Sequence, residues 1–412
     1  MSRTPGTPRL LRAINDRAAL SLLLEHGPLS RVQLGALTGL SKPTASQLLS
    51  RLEDAGLVVQ VGTSAGGRGP NAALYAVNAA AAYVAGMDVI PERLTVAIAD
   101  ITGTVIGETV VGTEPGSEAD PTPDVRAALT SVARKAGIRV RDLFGLVIGS
   151  PGAHDAVTDT LNYADTVPGW SRPGILTELS SKLGIRVAME NDVNLAAIAE
   201  RRHGAVSDVG SFALLWVSDG LGLAIDLGGE LHRGATGGAG EIGYMPVPAP
   251  PVRPEKDGEP IADFQDLVGA DAVVRLATDH GIHTETAAGA VRRAAEGVAG
   301  ADAFLGELSA RLATGLATIV AVLDPELVVL TGEVCRAGGE ALAARVQRNL
   351  HDTSPLRPAV APSSIEGNPV LLGALDQALE AAREEVFGAR DLTQLHRTPS
   401  TPTSRTTARS EL

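Results

Sequence analysis

Glu190-Asn191-Asp192-Val193-Asn194 gathers carboxylates and carboxamides at the point where a short strand-like run, Ile185 to Met189, gives out. Further on, Gly237 to Tyr244 reads Gly-Gly-Ala-Gly-Glu-Ile-Gly-Tyr, a glycine-rich loop whose backbone can come close to a ligand. Groups of this kind suit a small polyhydroxylated molecule. Every hydroxyl such a molecule buries must find a partner or lose its water at a cost of roughly 1–3 kcal/mol. The two stretches therefore predict a sugar-sized pocket. Asp192 also has a second meaning, as the N-cap of the helix that follows.

The elements that must hold these groups alternate between strand and helix. Tyr83 to Asp88, Leu94 to Asp100 and Gly145 to Gly149 read as strands, as do Arg186 to Met189, Phe212 to Val217, Leu221 to Asp226 and Glu326 to Leu330. Helices are expected over Asp124 to Ala136, Val193 to His203 and Ala303 to Leu323. This predicts an α/β body in two lobes, with the ligand in the cleft between them.

The first part of the chain has a different style. A helix over Leu10 to Glu25 stops at Gly27-Pro28, Ser30 caps a second helix through Leu37, and a turn containing Gly39 follows. Ser41 then caps a third helix to about Ala55, with Pro43 in its first turn. Ala45, Leu48, Leu49 and Leu52 fall on one face of it, with Ser46, Gln47 and Ser50 opposite and Lys42, Thr44 and Arg51 on the flanks. Such a helix packs on one side and offers amides, hydroxyls and cations on the other, which suits a DNA major groove. Strands Leu57 to Val61 and Leu74 to Val77 enclose a glycine-rich hairpin tipped by Arg68, a wing able to reach phosphates or a minor groove. A solvated polar face is the plain alternative. The succession of helix, turn, capped helix and Arg-tipped hairpin argues for DNA.

Composition agrees with this division. The 412 residues are 44% hydrophobic and 20% charged, globular in type and long enough for two or three domains. A net charge of -13 argues by itself against nucleic acid. Residues 1–78, however, hold eight Arg or Lys against four Asp or Glu, so a basic head is joined to an acidic body. Cys335 is the single cysteine, which excludes an intramolecular disulfide and a cysteine-based metal site. It reads as a small buried residue, and His154 and His232 read as surface histidines. No secretory signal is expected, because Arg3, Arg9, Arg12, Asp16 and Arg17 interrupt any apolar run. A cytoplasmic location fits. The expected domains are a winged helix-turn-helix at 1–78, a sugar-binding body at 79–388 and a disordered tail at 389–412.

Several motifs resemble the ROK family of repressors, open reading frames and sugar kinases, and in particular its winged-helix regulators. They are Gly27-Pro28-Leu29-Ser30, Leu40-Ser41-Lys42-Pro43-Thr44, Pro168-Gly169-Trp170, Glu190-Asn191-Asp192, the glycine-rich run to Glu241, and Asp324-Pro325-Glu326. The resemblance covers nearly the whole chain short of the tail. It implies an actin-like, hexokinase-like ATPase fold for the body, and dimers or tetramers. It also implies that Asn191, Asp192 and Glu241 hydrogen-bond sugar hydroxyls and that Gly152 lines the cleft. In the family's kinases the aspartate at the place of Asp192 is the general base.

The sequence departs from those kinases at three places. Where they begin the body with an Asp-x-Gly-Gly-Thr loop, this chain has Asp88-Val89-Ile90-Pro91-Glu92, and the second phosphate loop reads Leu330-Thr331-Gly332-Glu333. A proline lacking its N–H and a carboxylate in each loop oppose phosphate binding. The family's zinc run of cysteines is replaced by Tyr244 and the proline-rich segment 246–260, and Asp263 aligns with the last thiolate. No cofactor is expected. Tyr244 either stacks on or bonds the ligand, or fills the gap.

These readings make the protein a sugar-responsive transcription factor, expected to be a repressor. Its DNA contacts are Ser41, Lys42, Thr44, Ser46, Gln47, Arg51 and Arg68. Its effector site, for a monosaccharide or sugar phosphate, is Gly152, Asn191, Asp192, Glu241 and Tyr244, with Asp192 a vestigial base. A sugar kinase with a DNA-binding appendage is the alternative, and an orphan regulator whose pocket takes no sugar is a third possibility.

Overall fold

A computed structural model describes residues 8–64, 72–155, 157–247 and 263–388. The chain divides into two compact units. The first comprises the residues to Tyr83, the turn Asp100–Thr104 and the chain from Leu379 on.

In the first unit α1 (Pro8–His26) ends at Gly27, whose φ of 73° suits glycine. The two-residue strand β1 (Leu29–Ser30) leads into α2 (Arg31–Thr38). Ser30 and Gln33 form a reciprocal capping box there, with Ser30 N–H donating to Gln33 Oε1 at 2.9 Å. Ser41 caps α3 (Lys42–Asp54), and Pro43 occupies its first turn, as expected. Ala45, Leu48, Leu49 and Leu52 are all buried. β2 (Val58–Ser64) and β3 (Ala72–Val77) are antiparallel, and β1 adds to β3 to give the order β1-β3-β2. This is a winged helix-turn-helix. The two-residue β1 was not foreseen. The wing tip with Arg68 lies outside the described residues.

The second unit holds two sheets. The first takes β4 (Tyr83–Ile90), β5 (Arg93–Asp100), β6 (Val105–Gly112), β7 (Leu143–Ser150) and, after the hairpin β8 (Ala153–Asp155) and β9 (Thr160–Asn162), β10 (Arg186–Asn191). Helices α4 (Thr122–Lys135), α5 (Ile175–Leu183) and α6 (Asp192–His203) belong to this half. The second sheet is built from β11 (Ser211–Val217), β12 (Leu221–Leu227), β13 (Glu230–Leu231), β14 (Leu327–Thr331) and β15 (Ala359–Pro362). Its helices are α7 (Phe264–Val268), α8 (Ala270–Asp279), α9 (Ala287–Ala295), α10 (Ala301–Leu323) and α11 (Gly332–Thr353), while the terminal α12 (Pro369–Gly388) returns to the first sheet, with Leu375 against Gly86 and Val370 against Gly149.

The sheet orders are β6-β5-β4-β7-β10 and β13-β12-β11-β14-β15. In each half the first three strands run in a row and the fourth and fifth add beyond the first. The same topology used twice is the two-lobed plan of the actin-like ATPase fold. α10 is long and apolar enough to cross a membrane by composition, but Phe304, Leu308, Leu312, Leu316 and Val320 are buried in the second lobe's core.

α6 starts at the end of a first-lobe strand and packs its other end on the second sheet. Val193, Ala196 and Ala197 share a buried cluster with Phe212, Leu214, Ala224 and Val329. Arg201 Nε donates to Asp226 Oδ2 on β12 at 3.2 Å, and Arg201 Nη1 to the Val206 carbonyl at 2.7 Å. The helix therefore holds its first residue, Asp192, where the two sheets approach.

Candidate effector site and DNA-facing helix

β10 runs parallel to β7, with Glu190 opposite Gly149 and Asn191 opposite Ser150. Their carboxyl ends thus open side by side, where ligands of open α/β sheets bind. Asn191, rather than Asp192, is the N-cap of α6. Its Oδ1 accepts from Val193 N–H at 2.9 Å and Asn194 N–H at 3.1 Å, and its Nδ2 donates to the Gly152 carbonyl at 3.0 Å. Asp192 is the first helical residue, accepting only from Val193 N–H at 2.8 Å among the described contacts. The cap expected of Asp192 falls one residue earlier, which frees much of its carboxylate for a ligand.

Gly152 has φ of 85°, and a Cβ there would collide with the Asn162 carbonyl oxygen. Gly240 has φ of 99°, and a Cβ there would strike the Leu223 carbonyl oxygen. Neither position admits another residue without rearrangement. Gly240 is followed directly by Glu241, whose charge is felt at Asp192.

Three carboxylates share this place. Burial pushes Asp192 up to about 7, and the neighbouring Asp88 and Glu241 add to the shift. Asp88, on β4, is itself raised by burial even though Asn368 Nδ2 donates to its Oδ2 at 2.7 Å. Glu241 is raised by burial as well. Asp88 entered the sequence reading only as the head of a degenerate phosphate loop. A lone charge inside the apolar run Tyr83 to Ile90 was the signal that could have placed it here.

Glu190 is buried and fully engaged. Its Oε1 accepts from Asn194 Nδ2 at 2.9 Å and its Oε2 from Arg233 Nε at 2.6 Å. Arg233, in the second lobe before the glycine-rich loop, was not foreseen. Its role is long-range, and nothing local in the sequence marks it.

Tyr244 does not fill a gap. It is 61% exposed and lies against Tyr163, which is 53% exposed, with ring centroids 5.8 Å apart and planes at 53°. His154 is not a free surface histidine, because its Nε2 meets Asp159 Oδ1 at 3.0 Å. His232 is exposed, and Cys335 is buried with its thiol pushed up to about 12 by burial, both as read from the sequence.

At the first degenerate phosphate loop, Pro91 and Glu92 form a tight turn between β4 and β5. Its carbonyls are taken by Thr113, whose Oγ1 donates to Pro91 O at 2.7 Å and whose N–H donates to Glu92 O at 2.9 Å. At the second, Gly332 (φ 83°) is wedged against the Val217 carbonyl, and Glu333 is exposed in the first turn of α11. Where zinc ligands stand in the resembling proteins, Pro246 bridges to Asp263 and Phe264 N–H donates to Met245 O at 2.9 Å. Asp263 caps α7 through Asp266 N–H at 2.8 Å, and Phe264 is buried against Gly315.

On α3, Lys42, Thr44, Gln47 and Ser50 are exposed and Ser46 is half-buried. The Ser41 hydroxyl is occupied by capping, 2.8 Å from Thr44 Oγ1. Arg51 is not a free flanking cation: its Nε donates to Asp16 Oδ2 on α1 at 3.2 Å, and its Nη2 bonds the other carboxylate oxygen.

The chain thus combines a winged helix-turn-helix with a two-lobed actin-like body in which Asp192 feels the charges of Asp88 and Glu241. Residues 84–381 match the ROK family model and residues 13–69 the MarR family model. The chain belongs to the ROK family. It is 28% identical over 245 residues to a putative xylose repressor of Caldicellulosiruptor sp. (strain Rt8B.4), an alignment covering 59% of this chain and 61% of that protein. A ROK family transcriptional regulator homologous to the E. coli Mlc protein superposes with a TM-score of 0.73 at 18% identity, over 92% of this chain and 99% of the other. A ROK family glucokinase from Streptomyces griseus, solved with glucose and AMPPNP, gives 0.58 at 23% identity over 72% and 99%. These likenesses show the fold.

Proposed function

We propose that this protein is a cytoplasmic, sugar-responsive transcriptional repressor that binds operator DNA as a dimer or tetramer through α3 and the wing. The observation that carries the reading is the exposed polar face of α3, set on a helix whose opposite face is wholly buried. A sugar enters around Asn191, Asp192 and Glu241. Its differential affinity for two arrangements of the lobes shifts the DNA-binding population. The domain limits are 1–78, 79–388 and 389–412.

In the same reading the chain is not an enzyme and carries no zinc or nucleotide. The Pro91-Glu92 turn spends its polar groups on Thr113, and Glu333 puts a carboxylate at the second loop. Phosphoryl transfer depends almost wholly on positioning and charge stabilisation, which these loops do not favour.

One observation favours the alternative of a kinase: Asp192, at about 7, is poised as a general base. Two measurements separate them. Genomic-fragment binding by the full chain, with and without a sugar panel, is expected to return a discrete operator whose occupancy changes with one sugar. Sugar-dependent ADP release at an ordinary enzyme rate would refute the repressor-only reading.

A further inference from the structure

Asn368 was singled out by no motif, yet it makes two bonds of different kinds. Its Oδ1 accepts from Leu371 N–H at 3.0 Å, which makes it the N-cap of α12, with Pro369 as the first helical residue. Its Nδ2 donates to Asp88 Oδ2 at 2.7 Å. Asp88 stands toward the end of β4, beside β7, because a Cβ on Gly149 would lie 3.5 Å from the carbonyl oxygen of Met87. Gly149 pairs in turn with Glu190, so Asp88, Ser150 and Asn191 lie at about one level of three neighbouring strands. The start of α12 is thereby bonded to the carboxylate end of the cleft.

The first half of α12 has no slack against its neighbours. A Cβ on Gly149 would strike Val370 and Leu195, one on Gly86 would meet Leu375, and one on Gly373 would strike the Leu195 carbonyl oxygen. Three glycines thus let α12 press directly on β4, β7 and α6, the helix that begins at Asp192, and elements packed so closely shift together. Further along, Asp376 of α12 meets the far end of α6: its Oδ2 lies 2.7 Å from His203 Nε2 and its Oδ1 3.7 Å from Arg202 Nη1. The two helices are fastened to each other at both ends. Beyond Ala378 the same helix belongs to the other compact unit, that of the winged helix-turn-helix. There Arg383 Nε donates to the Ile101 carbonyl at 3.0 Å.

We propose that α12 is the element through which the cleft acts on the DNA-binding unit, and that Asn368 is the positioning residue tying the start of that helix to Asp88. This rests on the reading of the protein as a sugar-responsive regulator, and it names the route of the response. A ligand that draws the Asp88 carboxylate toward itself takes it from Asn368. The cap and the helix then shift together and carry Leu379 onward with them. Shear of one packed helix is an ordinary way to pass a small local displacement to a distant element.

The test is amide hydrogen exchange, read by mass spectrometry on the full chain with and without a probe panel of aldopentoses, aldohexoses and hexose 6-phosphates. In the parent, the probe that raises the melting temperature should change exchange over Leu379–Phe387 and over α3 by at least about fivefold. Asn368→Ser keeps a capping oxygen for Leu371 N–H but lacks the amide that donates to Asp88. It should still be stabilised by that probe, while the exchange response beyond Ala378 disappears. Asn368→Thr takes its place if the first variant does not fold. An equal response in parent and variant would overturn the inference, as would a parent response that stops at Ala378, and both would leave the sugar-site reading standing. Loss of probe binding together with the response would also overturn it, because Asn368 would then serve the cleft alone. A folded parent that no probe stabilises would overturn both.

Discussion

Arg233 Nε donates to Glu190 Oε2 at 2.6 Å, joining a second-lobe loop to the end of a first-lobe strand. Glu190 is 8% exposed and Arg233 about half-exposed, so the charge that suffers when the pair breaks is the carboxylate. Arg233→Ala should therefore lower stability by about 1–2 kcal/mol, discounted for solvent around the guanidinium. Urea unfolding at neutral pH would measure it, and no loss would mean that water replaces the arginine.

Asp192 gives a pH dependence of definite sign. Its folded value of about 7 lies above the ordinary 3.8, so the folded protein holds a proton there that the unfolded chain has released. That contribution to stability is present at pH 4 and is lost as pH rises toward and through 7. Asp192→Asn keeps an acceptor for Val193 N–H but cannot ionise. The variant should match the parent near pH 4 and be the more stable at pH 8, with denaturant midpoints at the two pH values deciding.

Gly240→Ala should cost at least about 2 kcal/mol, since the new Cβ meets the Leu223 carbonyl and the backbone is left-handed. Because Glu241 is the next residue, relaxation at Gly240 should displace it. Thermal shift with the effector should then vanish even at temperatures where the variant is folded.

Gln47 and Arg51 should behave differently. Gln47 is exposed on the polar face of α3, and Gln47→Ala should weaken the operator selectively while leaving random DNA unaffected. Arg51 is held by Asp16, so Arg51→Ala should lower the stability of the head with little change in the salt slope of DNA binding. Arg68→Ala, on sequence grounds, should weaken all DNA evenly and reduce that slope. Anisotropy titrations at several salt concentrations distinguish the three.

The head was legible because its signals are local: Ser41, Pro43 and the spacing of Ala45, Leu48, Leu49 and Leu52 fix α3 almost to the residue. The two-residue β1 carries no periodicity and exists only through pairing with Leu74 and Tyr75. In the cleft, two good capping residues stand next to each other, and sequence alone does not say which one caps; the parallel register of β10 on β7 gives that role to Asn191. The β8–β9 hairpin was missed because its left-handed turn residue, Asp159, is not the glycine that announces such turns. Asp88, Arg233 and Tyr163 reach the site only through contacts distant in sequence.

The Pro246–Asp263 bridge brings two points of the chain together, and Phe264 anchors the downstream one in the core beside Gly315. Phe264 N–H also donates to Met245 O, so the start of α7 is tied to the residues just after Glu241. A substitution at Gly315 that displaces the Phe264 ring should therefore be transmitted along this tie toward the carboxylates.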